Sequence, residues 1–378
     1  MTNLPQKKNV SLQQVLSAML DDNAPFPPAF LRQLSDLEGM DLAALESIWP
    51  RVKPARRAEL IENLSDLAQN DTLVMFDSIA RMALTDTDPR VRATAVGMLD
   101  QDEDPRLAQI FINMMLQDPD PTVRSEAAGA LGWLVYRGEL EELPEDIHHH
   151  VEDELLRVID GSDEKQVRRS ALEAMGFSSR SEVNPLLRNA YTSGDDEWLV
   201  SALFAMGRSA DQVWEPDVKR MLRHGNSDVQ FEAVRAAGEL ALESTRRILL
   251  DLLEEEVQEF EVRAAVIWSL SQIGGDETRD PLEELLESSD DEQEMELLED
   301  ALDNLTFTED MSELDLMDFD KLGEANRPID DIEAYLNAAL DEDITDVTGN
   351  RTTNGGEDDV TKDSGKKQNR PGKSGKDQ

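Results

Sequence analysis

The sequence contains no cysteine among its 378 residues. Disulfides, thiolate metal ligands and cysteine nucleophiles are therefore excluded. Aromatic residues make up only 5% of the chain, whereas charged residues make up 31%. A compact chain of this length would ordinarily form two or three domains, but this composition is unusual for a compact enzyme. We therefore look first for internal repeats.

Basic side chains are scarce, with 37 Lys and Arg against 82 Asp and Glu, a net charge of −45 and a pI near 4.2. Binding to phosphate backbones and anionic membranes depends on basic side chains, so we expect neither nucleic-acid nor membrane binding. Long apolar runs are also missing, including from residues 1–22. We expect no signal peptide and no membrane span, and hence a cytoplasmic protein.

A short pattern recurs along the chain. Val-Arg pairs are followed three residues later by Ala or Val, and two weaker copies keep the same offsets, so that the anchor residues are Val91, Val123, Val167, Trp198, Val229 and Val262. The successive spacings are 32, 44, 31, 31 and 33 residues. This period fits a unit of two helices, with one insertion of about a dozen residues in the third interval.

Each unit has the features of a helix pair. An apolar segment, a turn and a second amphipathic segment follow one another, and Asp120 and Pro121 are placed to cap and begin the second helix. Val123 and its successors recur every four residues on one face, and Gly132 is expected to end the helix. One pair cannot bury its own apolar stripe, so neighbouring pairs must stack. The sequence predicts an all-α fold, an α-solenoid of stacked antiparallel helix pairs.

The segment from Asp118 to Gly132 resembles the signature of HEAT-like repeats of the phycobilisome-lyase type. We expect a helical cap and degenerate first repeat over residues 1–85, and a repeat array over 86–305 with an insertion at about 137–150. The resemblance also implies a ladder in which the Arg of each pair contacts an Asp of the inter-helix turn. This ladder would pair Arg92 with Asp86 and Arg124 with Asp118, and it breaks at Leu199 and Gln230.

Proteins with these repeats include tetrapyrrole lyases and chaperones, iron hydroxylases and scaffolds. The iron hydroxylases bind metal through His-Glu dipeptides, and this sequence has none. Three of its four histidines are consecutive, His148 to His150, and successive helical residues point about 100° apart. We expect the triplet not to converge on one ion, since only His150 with Asp153 or Glu154 has usable spacing. We therefore expect no metal, no cofactor and no catalytic residues.

Helix geometry locates the exposed side of each second helix at offsets two and six from the anchor. There, small and charged residues give way to larger ones in the later repeats, and the candidate contact residues are Val200, Phe204, Phe231, Arg235 and Trp268. Aromatic residues and Arg dominate binding hot spots. Two interpretations stay open: these side chains form a recognition groove, or they pack between adjacent second helices. Trp133 and Tyr136 pose the same alternatives, with packing favoured.

The C-terminal part is strongly acidic, with 26 acidic and two basic residues between 280 and 346. We expect an acidic segment over 306–341 that includes a short amphipathic helix from Pro328 to Leu340, followed by a disordered tail over 342–378. A partner that meets this acidic end should be basic.

Together these features predict a non-enzymatic scaffold that binds a partner protein or peptide on the inner face of the solenoid, and a basic region of that partner would suit the acidic end. The alternative is a lyase-like maturation factor or chaperone for a tetrapyrrole-carrying protein, which follows from the family resemblance alone. The sequence leaves the oligomeric state open.

Overall fold

The helices begin where the sequence supplies a cap. A computed structural model describes residues 10–255, 259–275 and 277–323, with side chains in the last range up to residue 307. In this structure the Asp88 and Asp120 carboxylates accept hydrogen bonds from the backbone N–H groups of Arg90 and Thr122, respectively. Each cap is followed by proline at the first helical position. The predicted helix start at Asp120 and Pro121 is thereby confirmed, and Asp88 and Pro89 begin their helix in the same way.

The described residues contain helices and no strands, which confirms the all-α prediction. The α-helices are α1 (Leu12–Met19), α2 (Gly39–Ile48), α3 (Pro54–Asn70), α4 (Asp77–Ala83), α5 (Pro89–Gly97), α6 (Arg106–Gln117), α7 (Pro121–Glu139), α8 (Glu145–Ile159), α9 (Lys165–Ala174), α10 (Val183–Tyr191), α11 (Asp196–Arg208), α12 (Glu215–Met221), α13 (Ser227–Glu239), α14 (Arg246–Leu253), α15 (Phe260–Ile273), α16 (Arg279–Ser288) and α17 (Glu292–Gly323). Short 3-10 helices lie at Pro28–Leu34, Trp49–Arg51, Met175–Phe177, Gln212–Trp214 and Glu243–Thr245.

The helices alternate between two layers. The second helix of each pair packs on the second helix of the next, in the order α3, α5, α7, α9, α11, α13 and α15, while α6, α8, α10, α12 and α14 each pack on the helix that follows them. All five Val anchors are buried beneath this array. The predicted α-solenoid is confirmed. Contacts divide the chain into two units after Ser312, and the stacked helix pairs lie in the first.

Several sequence-based expectations concern the insertion and the C-terminal region. The proposed insertion at 137–150 spans the end of α7, a turn and the start of α8. The proposed segment 306–341 begins within α17. The expected helix from Pro328 to Leu340 and the expected disordered tail over 342–378 lie outside the described residues.

In four units a glycine allows neighbouring helices to approach closely, and the expectation that Gly132 ends its helix is wrong. Gly132 lies inside α7, where a Cβ atom would stand 3.1 Å from the Cα atom of Ala174. At Gly238, inside α13, the corresponding distance to the Cα atom of Ser269 is 2.8 Å. Gly176 and Gly207 meet Ala205 and Ala236 in the same way. The glycines are there because the next backbone occupies the space of a side chain.

The ionic ladder connects successive units, which corrects the pairing expected from the sequence. Arg92 Nη1 donates to the backbone carbonyl of Asp86, but its Nε and Nη2 donate to the carboxylate of Asp118 at 2.8 and 2.7 Å. Arg124 likewise contacts the Asp118 carbonyl and pairs with Asp163 at 2.9 and 2.6 Å.

The aspartates of the ladder serve two contacts each. The Asp86 and Asp118 carboxylates accept backbone N–H groups two residues further on within their own turns. Because the units stack side by side, each of these carboxylates also faces the guanidinium group of the preceding unit. Asp86 accordingly pairs with Arg57 of α3, so the ladder extends into the N-terminal region.

The ladder changes in the middle units. Arg168 lies over the Trp198 ring, 5.4 Å from its centroid, and Lys165 pairs with Asp195 at 2.8 Å. Gln230 retains only the carbonyl contact of a ladder Arg, donating to Leu222 O. Arg263 pairs with Glu294, so a carboxylate link between units is present again at the end of the array.

Replacing Gly238 by Ala should lower the free energy of unfolding by about 1–3 kcal/mol, because the new methyl group would overlap the α15 backbone. Gly129→Ala is the matched control, since this α7 glycine has no atom within 4 Å of its Cβ position. That control should gain about 0.5–1 kcal/mol from helix propensity. Urea denaturation followed by circular dichroism measures both, and equal stabilities for the two variants would contradict the close-approach account.

Removing the Asp86 carboxylate should cost about 3–5 kcal/mol, because Arg57 would remain buried without its counter-ion. Arg57 and Asp86 are only 5% and 8% exposed, and the carboxylate also accepts from the indole N–H of Trp49 at 2.6 Å. Asp163→Ala, which removes a more exposed ladder aspartate, should cost about 1 kcal/mol. Denaturation midpoints of the two variants test this order, and a larger loss at Asp163 would refute it.

Candidate protein-interaction surface

The five candidate contact residues lie on three consecutive second helices. Val200 and Phe204 belong to α11, Phe231 and Arg235 to α13, and Trp268 to α15. Four of them are half-buried, and Trp268 is 38% exposed. We call the exposed side of α11, α13 and α15 that carries these residues, together with the same side of the neighbouring α9, the second-helix face.

Phe204 lies between two guanidinium groups. Arg208, one turn further along α11, stands 4.0 Å from the ring centroid, and Arg235 of the neighbouring helix stands 4.6 Å from it. Such cation–π contacts gain strength when the groups are shielded from water. The ring is therefore held in one orientation by its own helix and by the next.

An aromatic row continues from Arg208 towards the N-terminus. Arg208 also lies 4.9 Å from the centroid of Phe177, whose ring meets Tyr136 at 5.0 Å, and Tyr136 meets Trp133 at 5.3 Å. These contacts join α7, the 3-10 turn after α9, and α11. Trp133 and Tyr136 thus make the packing contacts that the sequence analysis favoured for them.

Three residues of this surface were missing from the sequence-based set: Phe177, Arg208 and Glu239. Each lies ten residues after its anchor, as Trp133 does. Offsets two, six and ten are successive turns on one side of a helix. Extending the rule to offset ten would have found these residues. The expectation that Gly132 ends its helix limited the rule to offsets two and six.

Trp268 lies against the backbone of the preceding helix. Its Cζ3 atom would be 2.8 Å from a Cβ atom at Gly238, so the absence of a side chain there lets the indole lie flat on α13. Phe231 packs against the core. The aromatic side chains do pack between units, and they retain partial exposure while doing so.

Charged groups of both signs lie beside these rings. Burial raises the pKa of Glu232 to about 7, with Glu239 and Glu173 adding to the shift and Arg235 opposing it. Burial also raises the pKa of Glu239. Glu232 Oε2 and Arg235 Nε are buried, lie 3.6 Å apart and have no hydrogen-bond partner. The second-helix face therefore combines ordered aromatic rings with charged side chains of both signs.

The consecutive histidines lie in the first half of α8. The rings of His148 and His149 stack with centroids 5.7 Å apart. Glu152, one turn later, approaches His148 Nε2 at 3.6 Å. The pair favoured by spacing, His150 and Glu154, is 4.0 Å apart, but Glu154 is also paired with Arg157.

A family model for HEAT repeats matches residues 77–149 and 215–303. These two segments have the sequence pattern of HEAT repeats. This confirms the resemblance inferred from the Asp118–Gly132 segment. The residues between the two matched segments carry most of α8 and α9 to α11, and of these α9 and α11 pack in the series of second helices.

Solved structures with a similar course of helices have low sequence identity to this chain. YibA of E. coli is 17% identical, with 74% of this chain and 96% of that chain covered and a TM-score of 0.40. The complex of CpcE and CpcF of phycocyanin lyase from Nostoc sp. PCC7120 is 19% identical, with 61% and 95% covered and a TM-score of 0.40. Human deoxyhypusine hydroxylase is 16% identical, with 78% and 96% covered and a TM-score of 0.34.

These TM-scores support no inference about function. A search of curated proteins finds no match. None of the helices within the described ranges is both long enough and apolar enough to cross a bilayer.

The Glu232 pKa predicts a specific pH dependence. The folded state holds the Glu232 proton more tightly than the unfolded chain, whose reference pKa is 4.5. The resulting increase in the free energy of unfolding is complete below pH 4.5 and is lost as the pH rises through about 7. Glu232→Gln should remove this loss, which we expect to be roughly 1–3 kcal/mol, since one pKa unit corresponds to about 1.4 kcal/mol.

Urea denaturation at pH 5 and pH 8 measures the effect as a growing advantage of Glu232→Gln over the wild type at the higher pH. Glu284→Gln, at an exposed position of α16, is the control and should follow the wild type. Parallel pH profiles for the wild type and Glu232→Gln would show that Glu232 is not a buried, titrating group.

Proposed function

We propose that the chain is a non-enzymatic scaffold that binds a partner protein or peptide on the second-helix face. Val200, Phe204, Phe231, Arg235 and Trp268 are the proposed contact residues. The observation that supports this proposal most directly is the contact of the Phe204 ring with Arg208 and Arg235, together with the partial exposure of Trp268 on α15. HEAT repeats provide a framework suited to protein–protein interaction.

The arrangement favours binding because its side chains are already ordered. Ordering a side chain at an interface costs free energy on binding. Two guanidinium groups already hold the Phe204 ring in the free protein, so less of this cost remains when a partner binds. Trp and Arg are enriched among the residues that contribute most to binding. The face therefore has both suitable residue types and a fixed geometry.

The charges indicate the chemistry of the partner. The charged side chains of this face balance, since Glu173, Glu232 and Glu239 are matched by Arg169, Arg208 and Arg235. Residues 280–346, in contrast, carry 26 acidic side chains. A partner with apolar anchors flanked by Lys or Arg would complement the aromatic rings of the face and the acidic region. The acidic region would mainly accelerate the encounter, while the aromatic contacts would determine how long the complex lasts.

Affinity capture from an extract of the source organism tests the proposal. The wild type is compared with a variant in which Phe204, Phe231 and Trp268 are replaced by Ala. We expect this variant to retain at least tenfold less of a partner held by the wild type, which corresponds to about 1.4 kcal/mol. Circular dichroism checks that its helices remain.

The matched control replaces three exposed apolar residues elsewhere, Met40, Leu73 and Met75, which are 90%, 86% and 56% exposed. The control should capture the same partner as the wild type. Trp268→Glu provides a second test with little effect on the core, because this side chain is partly exposed. Equal capture by the folded triple variant and the control would refute the proposed face.

A further inference from the structure

A cluster of metal-ligating side chains lies where α7 ends and α8 begins, away from the second-helix face. His148 Nε2 is 3.6 Å from Glu152 Oε1 and 4.0 Å from Glu139 Oε1. His148 and Glu152 are one turn apart on α8, and Glu139 is the last residue of α7. One imidazole nitrogen thus faces two carboxylates from two helices.

This cluster is buried and lacks a partner at its centre. His148 is 9% exposed and Glu152 is 1% exposed. His148 Nε2 is inaccessible to solvent and has no hydrogen-bond partner. A buried polar atom without a partner costs about 1–3 kcal/mol, so its position calls for a ligand.

Gly138 makes room for the histidine. A Cβ atom at Gly138 would stand 2.2 Å from the Cδ2 and Cγ atoms of His148, so any other residue would displace the ring. Gly138 belongs to α7, next to Glu139. The helix therefore admits the imidazole at the point where it also supplies a carboxylate.

Both carboxylates are oriented by neighbouring groups. The Ser178 hydroxyl donates to Glu152 Oε1 at 2.5 Å, and the Ser179 backbone N–H donates to Glu139 Oε1 at 2.7 Å. Arg180 Nη1 lies 3.9 Å from Glu152 Oε2. Hydrogen bonds from outside the donor set commonly orient metal ligands.

His149 can supply a further nitrogen. One donor atom each of His148, His149 and Glu152 lie within 4.8 Å of one another, and the His149 side chain is exposed. An exposed ring can turn towards an ion at little cost, because its movement displaces no core residue. His148, His149 and Glu152 thus form one donor group, and the Glu139 carboxylate, 4.0 Å from His148 Nε2, is the candidate fourth ligand.

We propose that His148, His149, Glu152 and Glu139 bind one divalent transition-metal ion of the Zn²⁺ type. Imidazole and carboxylate donors suit this class of ion, and the two carboxylates balance its charge. Tetrahedral Zn²⁺ with bonds of about 2.1 Å separates its ligands by about 3.4 Å, close to the 3.6 and 4.0 Å separations from His148 Nε2. The ion would tie α7 to α8 and, through Ser178 and Ser179, to the segment after α9.

A titration of the full-length chain with Co²⁺ tests the site after treatment with a chelator. We expect one equivalent to bind and to give the intense visible absorption of tetrahedral Co²⁺ with nitrogen ligands, which Zn²⁺ should then abolish. His148→Ala and Glu152→Gln should weaken binding at least tenfold. Zn²⁺ should raise the melting temperature of the wild type and not that of His148→Ala.

His150→Ala is the matched control on the same helix, and it should bind Co²⁺ as the wild type does. Because His148 is buried, His149→Ala provides a variant that leaves the core intact and should still weaken binding. Only weak absorption typical of octahedral oxygen ligands would indicate scattered binding by surface carboxylates and would overturn the proposal. Equal Co²⁺ spectra for the wild type, His148→Ala and His149→Ala would also overturn it.

Discussion

The close approach of neighbouring second helices is the constraint on which the rest of this structure depends. At Gly132, Gly176, Gly207 and Gly238 the next helix fills the space that a side chain would occupy. Such contacts leave little freedom for one helix to slide or rotate against its neighbour. They therefore keep the units in register along the array.

This register accounts for both the ladder and the second-helix face. The turns stack side by side, so an Arg of one unit meets the Asp of the next. The exposed sides of successive helices are aligned in the same way, which brings Arg235 of α13 over Phe204 of α11. The proposed contact surface exists because three separate helices hold their side chains in a fixed relation.

Much of this architecture could be predicted because it follows from local rules. Asp120 caps α7 because a carboxylate accepts free N–H groups, and Val123 is buried because a four-residue period makes one face apolar. The role of Gly132 was misread because glycine is common both at helix ends and at close helix contacts, and only the neighbouring helix distinguishes them. The expected partner of Arg92 is also wrong, because the Asp that this Arg meets depends on how neighbouring units stack. The cluster around His148 depends on Glu139 and Gly138 of another helix, which spacing along α8 alone does not show.

The central claim is that α9, α11, α13 and α15 form one packed array that holds a preformed surface. Native-state hydrogen exchange of their backbone amides under increasing mild denaturant tests it most directly. The account predicts that the four helices are similarly protected and lose protection together, as one cooperative unit. If α11 or α13 exchanged independently and much faster than its neighbours, the surface would not be held in place by the array, and the account would be wrong.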